Sequence, residues 1–159
     1  MNEKGLRKCV RDSMLRTCPP VGKLWGYEFT VYNGEAGYCC KQMTVLNSGL
    51  ACSVHFHMKK TETFFIMDGT LALELFPSKT LRKPYLLTLR ARQHITIKLR
   101  VPHRFWAPTG VVHFIEASSH DEASDSYRLI PAGVAPRVRT MGHGDKLKFV
   151  YVGVRRYGT

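Results

Sequence analysis

The chain has 159 residues, is 44% hydrophobic, and sets 24 Lys and Arg against 12 Asp and Glu, a formal net charge of +12. That length suits one domain, 1–159, with its core expected at about 25–130, and no apolar run is long enough to cross a bilayer. The positive excess attracts anions in general, whether nucleic acid, acidic lipid or a phosphorylated small molecule, without choosing among them.

From Met1 to Arg16, Leu6, Val10, Ser13 and Met14 fall at helical spacing, with Lys4, Lys8 and Arg11 on other faces. This predicts a short amphipathic helix packed on the domain and ended by Pro19-Pro20. The segment lacks the apolar centre of a secretory signal. Cys9, Cys18, Cys39, Cys40 and Cys52 are odd in number and form no Cys-x-x-Cys. They exclude a disulfide scaffold and a zinc ribbon, and imply a reducing, cytoplasmic compartment.

Lys23 to Phe29 begins an extended segment, and Asn33-Gly34 is a turn dipeptide. Tyr38 to Leu46 reads as a strand with Lys41, Met43 and Val45 on one face. His55 and His57 are two apart and share a strand face, so two imidazoles aim at one point. A turn over Met58 to Thr61 brings Glu62 back beside them, and Glu62, Phe64 and Ile66 then alternate along the next strand. Cys52 is out of phase with His55 and is expected to face away from that point. Cys40 is out of phase with Lys41, and both thiols read as buried and structural.

Asp68-Gly69 predicts a hairpin leading to a strand over Thr70 to Phe76. Tyr85 to Leu89 is a further strand, followed by a turn at Arg90 to Gln93. Ile95, Ile97 and Leu99 alternate on another. Arg104 to Ala107 and Val111 to Ala117 predict a hairpin around Pro108-Thr109-Gly110. Ser118 to Ser126 is a polar loop. Lys146 to Val152 reads as a strand ended by Arg155-Arg156-Tyr157, expected as an added edge strand or a dimer contact rather than a nucleic-acid arm. Short strands between turns, with no long helix, predict an all-β barrel or sandwich.

The run from Gly49 through His55, His57 and Glu62 to Gly69 resembles the first motif of the cupin superfamily. Val101-Pro102-His103 resembles the end of the second, where a proline-bound turn delivers the last histidine. The resemblance implies an all-β cupin, a double-stranded β-helix or jelly-roll barrel with a short N-terminal helix. It also implies a metal set of His55, His57, Glu62 and His103. Arg92, Lys98, Arg100 and Ala107 depart from the second motif. Lys98 and Arg100 read as solvated strand-end charges or as a grip on an anionic substrate. His94, His113, His120 and His143 lack ligand spacing, although His113 could reach the pocket rim.

Trp25-Gly26-Tyr27-Glu28, Tyr38 to Lys41, Ile115 to Ser118 and Asp125 to Arg128 extend the likeness to the small cupins of the D-lyxose isomerase and phosphosugar-isomerase type. That likeness covers about Trp25 to Arg128. It implies a homodimer that converts aldose to ketose, on a sugar or sugar phosphate, through an enediolate on a divalent metal: manganese first, iron or zinc next. Glu62, Lys41, Glu116 and Tyr127 are the candidates for moving the proton. The alternatives are a cupin oxygenase using iron, or a non-enzymatic sugar- or metal-binding module. No named nucleic-acid motif appears.

Overall fold

The computed structural model describes residues 2–13, 15–34, 37–119 and 121–152. Met14, His120 and the Arg155-Arg156-Tyr157 end lie outside the described residues.

Helix α1 spans Glu3–Asp12. Asn2 caps it by accepting from the Gly5 amide at 2.9 Å. Ser13 ends it, returning both its amide and its hydroxyl to the Cys9 carbonyl, so the helix stops well before Pro19-Pro20. Leu6 is 51% and Val10 72% exposed. The expected packing on the domain is therefore not observed. Two apolar side chains in ten residues offer too little area to offset the entropy of docking.

The chain then runs through β1 Val21–Lys23, β2 Gly26–Asn33, β3 Tyr38–Val45, β4 Leu50–Ala51 and β5 Val54–Phe56. Next come β6 Glu62–Asp68, β7 Thr70–Leu75, β8 Tyr85–Arg90, β9 His94–Ile97, β10 His103–Trp106 and β11 Val112–Ser119. β12 Tyr127–Ile130, β13 Gly133–Val134, β14 Val138–Met141 and β15 Lys148–Tyr151 complete it. Two antiparallel sheets form a jelly roll. One has the order β1-β2-β3-β11-β6-β9, the other β12-β5-β10-β7-β8.

Two expected hairpins are instead crossings between these sheets. β6 pairs with β11 and β9, whereas β7 pairs with β10 and β8. Asp68-Gly69 is a turn, but it hands the chain from one sheet to the other. Pro108-Thr109-Gly110 does the same between β10 and β11. Turn residues specify the local reversal and leave the choice of partner to the apolar faces.

The inward positions grade from apolar to polar along the barrel. On β11, Val112 and Phe114 lie opposite Val45 and Met43, then Glu116 lies opposite Lys41. On the other side Phe114 meets Ile66, Glu116 meets Phe64 and Ser118 meets Glu62. One end is thus filled by packed rings, with Phe64, Phe105 and Phe114 in mutual contact at 4.8 to 5.7 Å between centroids. At the other end the same strands present charged groups around a cavity.

The outer face of the smaller sheet is covered by the β14–β15 ribbon. Phe149, 4% exposed, packs on Ala51, Ala72 and Trp106. Glu74 sits opposite Arg104 in register and ion-pairs with it at 2.6 Å, and the Tyr151 hydroxyl donates to the same carboxylate at 2.5 Å. The final strand joins this ribbon rather than an edge of either main sheet.

Gly69 has φ +80°, and a Cβ there would lie 2.3 Å from the Val111 carbonyl oxygen. We expect Gly69→Ala to cost about 1–3 kcal/mol of stability, measured by urea denaturation.

Candidate metal centre

Each candidate ligand is delivered by a different local device. His55 and His103 face each other across the β5–β10 pair. His57 lies just past β5, where the Arg100 amide donates to its carbonyl at 2.7 Å. Glu62 opens β6 and points inward with Phe64 and Ile66. One ligand atom from each of these four side chains lies within 4.8 Å of the others.

The rings are oriented by the backbone. Nδ1 of His55 donates to Ser53 O, that of His57 to Asp125 O and that of His103 to Val101 O, each at 2.9 Å. A carbonyl oxygen can only accept, so Nδ1 holds the proton in each neutral ring and Nε2 turns its lone pair inward. His103 Nε2 then lies 2.8 Å and His57 Nε2 3.7 Å from Glu62 Oε1. The first distance is in hydrogen-bonding range, but the angles fail, and all three atoms are buried without a hydrogen-bond partner. Ring nitrogens face a carboxylate oxygen there, an arrangement that a bound cation, or a proton on His103, satisfies.

The charges agree with a cation site. Burial lowers the His55 ring to about 3, with His103 adding to the effect. Burial and Lys60 together lower His57. At Glu62 burial raises the carboxyl, but His103, Lys60 and His57 outweigh it and hold it well below the usual range. At His103 burial is outweighed by the Glu62 charge, which raises it. Two lone-pair donors and a carboxylate stand ready without protons, and a divalent ion fits this nitrogen-and-oxygen set.

Glu62 is held in turn by Lys60, which pattern reasoning passed over as part of a turn. Its side chain is only 4% exposed, and Nζ lies 3.2 Å from Glu62 Oε2, 2.9 Å from Glu116 Oε1 and 2.9 Å from Asp121 Oδ1. Burial opposes its charge, but these three carboxylates raise its pKa well above the ordinary lysine value. Lys41 pairs with Asp121 Oδ2 at 2.6 Å, and Glu116 with Asp121 keeps it protonated despite burial. Glu116 accepts from Lys60 and Ser118 on one oxygen. Burial and the Glu62 charge raise its pKa, and the two lysines hold it back.

Asp125, also missed, fixes the turn itself. Its carboxylate accepts from the amides of Met58, Lys59 and Lys60 at 3.0 to 3.2 Å, while its carbonyl holds His57. An Asp in a Ser-rich loop gives no sequence signal for a contact with a turn 65 to 67 positions away.

A cavity of about 470 Å³ opens onto the site. Trp25, Met43, Phe64 and Phe105 form its apolar wall, and Lys41, Lys60, Glu62, Glu116 and Asp121 its polar wall. His103, 1% exposed, belongs to the candidate group but is not part of the cavity lining.

Several expected placements differ. Tyr127 is 47% exposed and stacks on Phe56 at 5.2 Å, on the outer face of β12. It cannot serve as the base, because its strand neighbours, not Tyr127, face inward. His113 also faces out, paired with Thr44 Oγ1. Lys98 and Arg100 are exposed and off the cavity wall. Cys52 lines the cavity, since the strand breaks between β4 and β5 and resets its phase. Burial pushes its thiol up to about 12, so it stays a neutral acceptor for the Phe105 amide. Cys40 is half-buried rather than buried.

No family model and no curated protein matches the chain. Among solved structures it is similar to the capsular polysaccharide assembling protein CapF from Staphylococcus aureus, with TM-score 0.65 and 11% identity over 76% of this chain. It is also similar to a mutant oxalate decarboxylase from Bacillus subtilis, with TM-score 0.59 and 13% identity over 70%. The oxalate decarboxylase of Lactobacillus farciminis in its formate complex gives TM-score 0.58 and 13% identity over 70%. The chain covers 34, 30 and 34% of those three proteins. At such identities the likeness is one of fold, and the fold is the cupin jelly roll.

Removing the Asp125 carboxylate should loosen the turn that carries His57 and Lys60. We expect Asp125→Ala to lower stability by roughly 2 kcal/mol and to weaken divalent-metal binding, with Asp125→Asn intermediate. Thermal denaturation and metal titration would check both.

Proposed function

We propose that this protein is a metal-dependent isomerase that interconverts the aldose and ketose forms of a small sugar. His55, His57, Glu62 and His103 would hold the divalent ion, manganese first and iron or zinc next. The observation that carries the reading is the pairing of two buried carboxylates through one lysine. Glu62 belongs to the ligand set, while Glu116, on the same Lys60, faces the cavity outside it. A metal-holding site with a separate raised-pKa carboxylate is what proton transfer between adjacent carbons requires.

When bound, the ion supplies Lewis acidity, acidifying a carbon-bound hydrogen beside the sugar oxygens. The chain's own groups handle the rest. Glu116 is the proton carrier, because its raised affinity for a proton lets it take one up and return it. Lys41 remains protonated. It therefore acts as a fixed positive charge toward oxygens that become negative, not as a base. Lys60 is a positioning residue that spaces Glu62 and Glu116. Trp25, Phe64 and Phe105 give the apolar side against which a sugar ring face or chain can rest.

The sequence likeness to the D-lyxose isomerase type supports this substrate class. CapF, described as assembling capsular polysaccharide, shows the fold in a saccharide setting, which is support by analogy.

The test is manganese-loaded protein incubated with free and phosphorylated aldoses, with ketose followed by chromatography. We expect turnover of at least one sugar. Glu116→Gln should lower kcat by about 100-fold or more while the protein still binds one equivalent of metal. Turnover of none of the panel, or an unchanged rate in Glu116→Gln, contradicts the assignment.

A further inference from the structure

At the cavity rim the charges of Lys23, Glu28 and Glu122 are already answered. Lys23 lies 3.2 Å from Glu28, and Glu122 lies 3.3 Å from Lys59. Inside, Lys41 and Lys60 are bound to carboxylates at 2.6 to 3.2 Å. Arg128 is the exception. It lines the cavity, is exposed, and has no ion pair among the described residues.

Its position is set by strand register. β12 lies beside β5, with Tyr127 opposite Phe56 and Arg128 opposite His55. Tyr127 and Phe56 stack on the outer face, so Arg128 and His55 share the inner one. Directly opposed residues have their Cβ atoms about 5 Å apart. Arg128 thus borders the strand position of a candidate metal ligand, lines the cavity outside the candidate ligand group, and is exposed. Arginine presents a planar fork of donors that matches phosphate and carboxylate oxygens.

We infer that Arg128 selects an anionic substrate, gripping a phosphate or carboxylate remote from the carbons that react. The inference rests on the sugar-isomerase reading for the rest of the ligand. It also relocates the anion contact, which the sequence had offered to Lys98 and Arg100, to a strand that borders the site. The substrate class is a sugar phosphate or sugar acid rather than a neutral sugar.

Calorimetric titration of manganese-loaded wild type, Arg128→Gln and Arg128→Lys tests it without relying on turnover. The probes are D-ribose 5-phosphate, D-glucuronate, D-ribose and inorganic phosphate. We expect wild type to bind one anionic sugar at least about tenfold tighter than D-ribose. That preference should collapse in Arg128→Gln and survive in part in Arg128→Lys, with thermal stability and metal content unchanged. The phosphate and carboxylate arms show which anion is preferred. Inorganic phosphate binding alone, with no sugar anion preferred, overturns the inference. So does a preference that persists in Arg128→Gln, since the ion or a lysine would then carry it. Anion preference without isomerase turnover leaves Arg128 in place and removes only the reaction.

Discussion

Three main-chain carbonyls, at Ser53, Val101 and Asp125, each hold one imidazole by its Nδ1 proton. Everything at the centre depends on that grip. It fixes the tautomer of the neutral rings and turns Nε2 of His55, His57 and His103 toward one point beside Glu62. Buried polar atoms without partners are costly. A fold that gathers several at one point is built for something that supplies positive charge. The carbonyls come from residues flanking strands, so the jelly roll itself fixes the ring directions.

Around this set the protein runs a second, closed circuit of charge. Lys60 joins Glu62, Glu116 and Asp121, and Lys41 returns to Asp121. Buried ions are stable only when every member is paired. The circuit satisfies that and holds Glu62 by the oxygen other than the one facing His103. It also separates the two carboxylates into different environments, one held ionised and one pushed toward protonation. Such a division leaves one wall of the cavity with two carboxylates of different proton affinity.

The site was legible in the sequence to the extent that its residues are near one another in the chain. Gly49, His55, His57, Glu62 and Gly69 carry fixed spacings that strand geometry explains. His103 required a second pattern, of which only the proline and histidine were intact. The contacts of Lys60, Asp121 and Asp125 gave no signal, because they come from pairings 56 to 80 positions apart. Arg128 could be placed only by the register of β12 on β5. The turns at Asp68-Gly69 and Pro108-Thr109-Gly110 were visible as turns, but a local reversal does not say which sheet the next strand enters. The exposed helix α1 shows the opposite limit: helical spacing was real, yet Leu6 and Val10 were too few to bind it to the barrel.

The central claim is that three imidazoles and one carboxylate share a single ion. X-ray absorption on the zinc- or manganese-loaded protein tests it most directly. The account predicts one ion per chain, with scattering from three imidazole rings and from oxygen, and none from sulfur. A sulfur neighbour would bring Cys52 into the coordination sphere. That result, or an ion bound without imidazole scattering, would contradict it.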